Sequence, residues 1–68
     1  MKLKEFKESI YFKLADIVEY YDQEGKEVTY TTEIGRRWFL NRPVIELSKR
    51  KEGNLRILRI TLGMEVER

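Results

Sequence analysis

A tight-turn signal between two stretches of β-favouring residues constrains the fold of this chain more than any other feature. Residues 22–25 read Asp-Gln-Glu-Gly. Aspartate suits the first position of a type I turn, because its side chain bonds back to the backbone, and glycine accepts a positive φ at the fourth. The flanking residues 17–21 and 27–34 are rich in Ile, Val, Tyr and Thr. The pattern predicts a β-hairpin with these two stretches as strands.

A second hairpin is predicted nearer the C-terminus. Val44–Leu47 and Leu55–Leu62 read as strands, and residues 50–53, Arg-Lys-Glu-Gly, read as the turn between them. Apolar residues of the last strand fall on both of its faces. We therefore expect either a bulge near Ile57 or a central strand that is covered on both sides.

The N-terminal segment favours a short helix. Leu3, Phe6 and Ile10 have helical spacing, and the segment is rich in lysine and glutamate. We expect the helix to end near Glu8 and to be followed by extended chain, with a break near Ala15. The alternative is one helix that continues to residue 21, because apolar residues recur at steps of three and four up to that point.

The connector at residues 35–43 separates the two hairpins. Gly35 is expected to end the preceding strand. Residues 36–40 are expected to form a helical turn or a short strand, and residues 41–43 to be extended or turned, because the residue before proline avoids the α region. At least two of the apolar residues at positions 38–40 should pack inward. The predicted fold is α+β and mostly β: one domain over residues 1–68, with a short N-terminal helix and a four-stranded antiparallel sheet of two hairpins. Strong twist would roll this sheet into a partly open barrel.

Composition excludes several classes of function. The chain has no cysteine and no histidine, which removes disulfides, thiolate metal sites and the commonest general base. We expect no metal and no cofactor. Glu19 and Glu33 are the best candidates for paired catalytic carboxylates if the first hairpin brings them together. Because hairpin carboxylates usually face solvent, we predict that the protein is not an enzyme.

The patterns of a membrane helix and of a signal peptide are not expected in this sequence. No apolar run approaches the roughly 20 residues that a membrane helix needs. The N-terminal lysines are not followed by the apolar segment of a signal peptide. We therefore expect a cytoplasmic protein with no membrane partner.

Charge is unevenly distributed along the chain. Residues 1–34 carry 5 Lys/Arg and 8 Asp/Glu, whereas residues 35–68 carry 9 and 4. Such asymmetry is found in polyanion-binding proteins, but it arises more often when the two halves of a chain attract each other or a partner subunit. The basic residues that we predict to contact a partner are Arg36, Arg37, Arg42, Lys49, Arg50, Lys51, Arg56 and Arg59.

Aromatic residues add to this predicted surface. Tyrosine, tryptophan and arginine are enriched at protein interface hot spots, and exposed aromatics also stack on nucleobases. The candidate aromatic contacts are Tyr20, Tyr30 and Trp38. These residue types fit a protein partner, and they also fit direct binding of nucleic acid.

The layout resembles small proteins encoded by phages and prophages of Gram-positive bacteria. The matching segments are the Lys/Glu-rich opening at 2–6, the tyrosine-rich hairpin at 17–25 and the closing hairpin at 44–60. The resemblance implies a protein that inhibits host defence, such as an anti-CRISPR protein, by covering a protein surface. This chain differs from inhibitors that imitate DNA, because those are strongly acidic.

Our hypothesis is a non-enzymatic interaction module that binds and blocks a host protein or a protein–nucleic acid complex. The first alternative is a small β-barrel that binds nucleic acid directly through a basic face. The second is a structural subunit, for example a homodimer, that assembles through its sheet edges.

Overall fold

The computed structural model describes residues 1–64, and it contains three helices and three strands in that range. The order of the elements differs from two consecutive hairpins, because a helix lies between the first strand and the second. The elements are α1 (Leu3–Phe6), α2 (Ile10–Lys13), β1 (Ile17–Asp22), α3 (Glu33–Asn41), β2 (Val44–Glu52) and β3 (Leu55–Leu62).

The three strands form one mixed sheet in the order β1-β3-β2. β3 pairs antiparallel with β2 and parallel with β1. The predicted α+β class is confirmed, with more of the chain in strands than in helices. The four strands, the purely antiparallel pairing and the barrel are wrong for residues 1–64. β1 forms its backbone hydrogen bonds with the distant β3. Residues 28–31, which follow the turn after β1, are not part of a strand.

The first predicted turn is present, but the strand after it is not. Asp22 Oδ1 accepts hydrogen bonds from the backbone N–H groups of Glu24 and Lys26, each at 2.9 Å, and Gly25 has φ +85°. The returning chain makes one isolated bridge, between Tyr21 and Glu27. The predicted strand over residues 27–34 is therefore wrong.

Helix α3 takes the place of most of the connector and of the last two residues of that predicted strand, whereas residues 28–31 are irregular. Thr32 is its N-cap and accepts a hydrogen bond from the backbone N–H of Gly35 at 2.9 Å. Glu33 lies in the first turn, where a negative charge favours the helix. Gly35 is thus a helical residue and does not end a strand. The helix buries Phe39, and Leu40 packs beside it, so the prediction that two apolar residues of the connector pack inward is confirmed.

Two short helices precede β1. α1 confirms the predicted N-terminal helix, although it ends two residues before Glu8. α2 replaces the expected extended chain; Ser9 caps it by accepting a hydrogen bond from the backbone N–H of Phe12 at 3.3 Å. A turn at Leu14 and a bend at Asp16 end the helical region. The predicted break near Ala15 is confirmed, and the alternative of one helix to residue 21 is wrong.

The second hairpin is longer than predicted. β3 has the predicted bounds, but β2 continues through the residues that were assigned to the turn. The turn is Gly53-Asn54, and Glu52 lies opposite Leu55. Only Gly53 of the two turn residues has a positive φ, +59°, which is the sign pattern of a type II′ turn. A two-residue turn of this kind matches the twist of the strands, so their pairing extends further than a longer loop would allow.

The hydrophobic core lies between the helices and one face of the sheet. Three alternate residues of β3, Leu58, Ile60 and Leu62, share one buried cluster with residues of α1 and α3, and this side of the sheet is called the helix side below. The opposite side is called the open side. Ile57 points to the open side and is nevertheless only 4% exposed. β3 is therefore the central strand, and on its open side it is covered at Ile57, whereas Leu55 and Arg59 are exposed. Within residues 1–64, the register shift in its pairing with β2 lies on β2, between Val44 and Glu46. The buried cluster consists of Leu3, Phe6, Phe39, Leu58, Ile60 and Leu62.

Candidate partner-binding groove

A groove of about 410 Å³ lies on the helix side of the sheet, between α2 and the β2–β3 hairpin. It is called the α2–hairpin groove below. One wall is apolar and comes from the end of α2; the other is basic and comes from the hairpin. The side chains that define the walls are Tyr11, Leu14, Ala15, Lys49, Lys51 and Arg56.

Strand register places the basic side chains on this side of the sheet. Lys49 lies opposite Leu58, which belongs to the buried cluster, and Lys51 lies opposite Arg56. Residues opposite each other in an antiparallel pair share a face, and alternate residues along a strand also share one. All three cations therefore lie on the helix side, beyond the edge of the core.

The two walls meet where the ammonium of Lys49 lies over the ring of Tyr11, 4.4 Å from its centroid. Tyr11 and Leu14 remain 56% and 50% exposed. Within residues 1–64, no carboxylate oxygen lies within 4.0 Å of the ammonium of Lys49 or Lys51. The groove thus joins exposed apolar surface to positive charge that the described part of the chain does not neutralise.

Arg56 is held more firmly than the two lysines. Its Nε lies 3.6 Å from Asp16 Oδ2, and the same carboxylate oxygen accepts a hydrogen bond from the Arg56 backbone N–H at 2.8 Å. Asp16 also donates its own N–H to the Arg56 carbonyl. This contact holds the start of β1 against β3. The Asp16 carboxylate also partly neutralises the charge of Arg56, whereas Lys49 and Lys51 have no such partner within residues 1–64.

Two of the predicted contact residues lie on the open side of the sheet and are paired there. Arg50 donates two hydrogen bonds to Glu19, at 2.8 and 3.0 Å. Arg59 lies 3.8 Å from the same carboxylate and stacks over Tyr21 at 3.9 Å. The Arg50–Glu19 pair crosses the central strand, and this arrangement explains why Ile57, opposite Arg50, is covered.

The same pairing shifts the acid–base behaviour of Glu19. The hydrogen bonds from Arg50 hold the pKa of the Glu19 carboxyl below its ordinary value of 4.5, and the charges of Arg50 and Arg59 act in the same direction. Glu19 is therefore a charged partner at neutral pH.

The predicted pair of Glu19 and Glu33 depended on a shared hairpin. Since Glu33 belongs to the first turn of α3, the two glutamates do not share a hairpin, and the basis for the pair is lost.

The connector residues separate into an exposed group and a structural one. Arg36, Arg37 and Trp38 are exposed on α3, and Trp38 is 59% exposed. Arg42 instead donates its Nε–H to the Gly63 carbonyl at 2.7 Å. That bond ties the end of α3 to the end of β3, so Arg42 has a structural role.

The two candidate tyrosines contact the core. Tyr20 meets Phe39 edge-on at 4.8 Å between ring centroids, and Tyr30 lies 5.2 Å from the same ring. Burial raises the pKa of the Tyr20 hydroxyl, and Tyr30 adds to the shift. Tyr30 keeps an exposed edge, whereas Tyr20 is half-buried. Of the three predicted aromatic contacts, Trp38 is the most exposed.

The eight predicted cations therefore do not form one surface. Lys49, Lys51 and Arg56 come together at the groove, and the others lie on α3, on the open side or in a structural bond. Sequence reasoning missed the apolar wall formed by Tyr11 and Leu14, because α2 was expected to be extended. The signal that could have found it was the serine before residues 10–13, a preferred N-cap residue.

Other classes of site find no support in the described residues. Within residues 1–64, no group of three or more Asp and Glu side chains is placed to hold a metal ion. No helix in this range has the length and apolarity needed to cross a membrane.

Comparison of the chain with protein-family models, with curated proteins and with solved structures found no significant match.

Proposed function

We propose that the protein is a non-enzymatic interaction module that binds a macromolecular partner through the α2–hairpin groove and blocks the surface that it covers. One observation supports this most directly. Lys49 and Lys51 have no carboxylate partner within residues 1–64, and they lie beside the exposed Tyr11 and Leu14. Apolar and aromatic surface next to uncompensated charge is typical of a protein-binding site.

Electrostatics favour a protein partner over nucleic acid. Arg50 and Arg59 face Glu19 and contribute little net charge to a binding face. The groove keeps two lysines and a partly paired arginine, which is a small set for tracking a phosphate backbone. We take the partner to be a host protein or protein–nucleic acid complex in the cytoplasm, as the resemblance to phage and prophage proteins implies.

The test compares two variants that carry the same change in charge. The groove variant replaces Lys49 and Lys51 with glutamate; the α3 variant replaces Arg36 and Arg37 with glutamate. All four positions are exposed. Wild-type protein would be immobilised to isolate partners from host cells, and the isolated partner would then be purified and titrated by calorimetry. We expect the groove variant to bind at least about tenfold more weakly, because each reversal replaces attraction with repulsion, and the α3 variant to bind like the wild type.

Equal binding by the wild type and the groove variant would contradict the proposal. The circular dichroism spectrum and urea midpoint of both variants serve as folding controls. Loss of binding in a variant that keeps the wild-type spectrum and midpoint identifies a contact surface.

Direct nucleic-acid binding is the second candidate, favoured by the exposed Trp38 beside Arg36 and Arg37. Fluorescence anisotropy with single- and double-stranded DNA and RNA at two salt concentrations tests it. If this candidate is correct, binding weakens steeply with salt, and the α3 variant loses more affinity than the groove variant. On our proposal, neither salt concentration gives appreciable binding.

A further inference from the structure

We propose that the partner binds beside the groove as an extended acidic peptide segment, which adds to the outer edge of β2 as a further strand. This inference rests on the proposed function and specifies the chemistry of the ligand. It depends on three features of β2: its open edge, the side chains on its helix side and the compensated charge on its open side.

The outer edge of β2 is open over most of its length. β2 has nine residues and, among residues 1–64, pairs as a strand with β3 alone. On its other side, the N-terminal residues cover only the beginning: the N–H of Val44 donates to the Met1 carbonyl at 2.8 Å, and Lys2 bridges to Pro43. Within residues 1–64, the backbone of residues 46–52 makes no hydrogen bond outside the sheet. Because ladder bonds in an antiparallel pair alternate, every second residue of this stretch turns its N–H and C=O outward.

The side chains along this edge define what can bind there. Leu47, Lys49 and Lys51 share the helix side, and the two lysines line the groove together with Tyr11 and Leu14. An added strand places every second side chain beside these residues. Carboxylates opposite the two lysines gain cross-strand attraction, and an apolar side chain opposite Leu47 covers exposed hydrocarbon.

Charge on the open side of β2 restricts the peptide further. Arg50 there is already bound by Glu19 and Glu52. Side chains of the peptide that face this side gain nothing from being acidic, so small neutral residues suit them. The favoured ligand is an extended segment in which acidic or apolar residues alternate with small neutral ones.

Positive charge on β2 also disfavours pairing between two copies of this chain. Residues 48–51 read Ser-Lys-Arg-Lys, and joining two such edges would bring like charges together. Edge lysines are a common device against self-association of this kind. Nucleic acid, in turn, lacks the backbone amide groups that a strand edge pairs with. Both arguments point to an acidic peptide of another protein.

The experiment uses the full chain and a synthetic peptide. The probe reads Glu, Glu and Leu at the positions meant to face Lys51, Lys49 and Leu47, with threonine at the intervening positions. Binding is followed by amide chemical shifts of the labelled protein and by fluorescence anisotropy of the labelled peptide. We expect the largest shifts at residues 46–52 and in α2. No shift at the highest soluble peptide concentration would overturn the inference.

Two peptide controls separate strand addition from simple charge attraction. N-methylation of the peptide amides that face β2 removes their hydrogen bonds, whereas N-methylation of the amides that face away leaves them intact. We expect the first change to weaken binding by at least about tenfold and the second to leave it nearly unchanged. Equal affinity for the two methylated peptides would overturn the inference.

A charge-swap experiment tests the side-chain contacts. The groove variant, with glutamate at positions 49 and 51, should lose the acidic probe and gain affinity for a peptide with lysine in place of glutamate. A misfolded variant would bind neither peptide and would be identified by its circular dichroism spectrum. In that case, variants with glutamine at either Lys49 or Lys51 would be used instead.

If a purified partner loses affinity for the groove variant while the two methylated peptides bind alike, strand addition is wrong and the proposed function stands. If the groove variant leaves partner binding unchanged, the proposed function itself is wrong.

Discussion

Glu19 connects all three strands of the sheet on its open side. Its carboxylate receives two hydrogen bonds from Arg50 on β2 and lies near Arg59 on β3. A group whose pKa is lower in the folded state stabilises the fold above its unfolded pKa, and this contribution is lost as the pH falls through the folded pKa. Part of the acid sensitivity of the protein should therefore come from this carboxylate.

The first prediction concerns Glu19→Gln. At about pH 7 we expect this variant to have a lower urea midpoint than the wild type, because Arg50 loses a charged bidentate partner. On acidification to about pH 3 the wild type should lose more of its free energy of unfolding than the variant does. Some loss will remain in the variant, because the pKa of Asp22 is also lowered, chiefly by the backbone hydrogen bond from Lys26. Glu8→Gln, at an exposed position with no ion pair within residues 1–64, is the matched control. Parallel pH profiles for wild type and Glu19→Gln would refute the assignment.

Gly53 is the residue on which the second turn depends. Its φ of +59° suits glycine. Apart from its chain neighbours, no residue of the described range 1–64 lies within 4 Å of a Cβ added at this position, so backbone conformation alone opposes replacement. We predict that Gly53→Ala lowers the free energy of unfolding by about 1 kcal/mol. Asn54→Ala, at the other turn position, where φ is not positive, should cost less. The comparison needs urea denaturation of both variants, and an equal effect would contradict the turn geometry.

Helix α3 is the element that most changes the architecture expected from local pattern. Its first turn depends on one side chain, since Thr32 Oγ1 accepts the Gly35 N–H. The helix brings Phe39 to the core and leaves Arg36, Arg37 and Trp38 outside. The identity of this element therefore decides which of the predicted contact residues reach solvent together.

The prediction at this scale compares two neighbouring threonines. Thr32→Ala removes the N-cap acceptor and should lower the free energy of unfolding by about 1 kcal/mol. Thr31→Ala changes an exposed residue whose side chain makes no hydrogen bond within residues 1–64, and it should have a much smaller effect. Urea denaturation monitored by circular dichroism measures both. A larger effect of Thr31→Ala would place the helix start elsewhere.

The molecule as a whole is organised around β3, although β3 is the last strand of the described chain. β1 joins it in parallel, and β2 joins it from the preceding hairpin. The core residues of α1 and α3 pack on its helix side. Contacts between β1 and β3 link segments about 40 positions apart in the sequence, as in the register of Ile17 with Ile57. Folding therefore requires long-range pairing, which is slow compared with formation of local hairpins.

Removal of one side chain from β3 tests this organisation. Ile60 is fully buried, and Ile60→Ala should cost about 2–5 kcal/mol, because it removes apolar contacts and leaves a cavity. Since a core of this size supplies only a few kcal/mol of net stability, we expect most of the variant to be unfolded at about 37 °C. Leu55→Ala, at a half-exposed position of the same strand, is the control and should cost far less. Similar thermal unfolding curves for the two variants would show that burial of Ile60 does not hold β3 and the helices together.

The local sequence was sufficient to predict an element where its residues favour one backbone conformation and no alternative. Asp22 and Gly25 define their turn by side-chain hydrogen bonds and a positive φ, and both were predicted. The bounds of β3 and the start of β1 follow from dense β-branched and aliphatic residues. Leu3 and Phe6 were assigned correctly to a short helix, because its apolar spacing has no alternative strand interpretation.

The tertiary structure decided the segments whose local patterns suit two elements. Residues 27–34 alternate as a strand does, yet Thr32 also serves as the N-cap of α3. The preference of a single residue for helix or strand is about 1 kcal/mol or less, whereas burying a phenylalanine such as Phe39 contributes about 1.5–3 kcal/mol. The position of the groove was decided in the same way: whether Lys49 faces Tyr11 and Arg50 faces Glu19 depends on the register of β2 against β3 and on where α2 packs. A sequence fixes the order of charges along a strand, but only the neighbouring strands and helices determine which of those charges are neutralised.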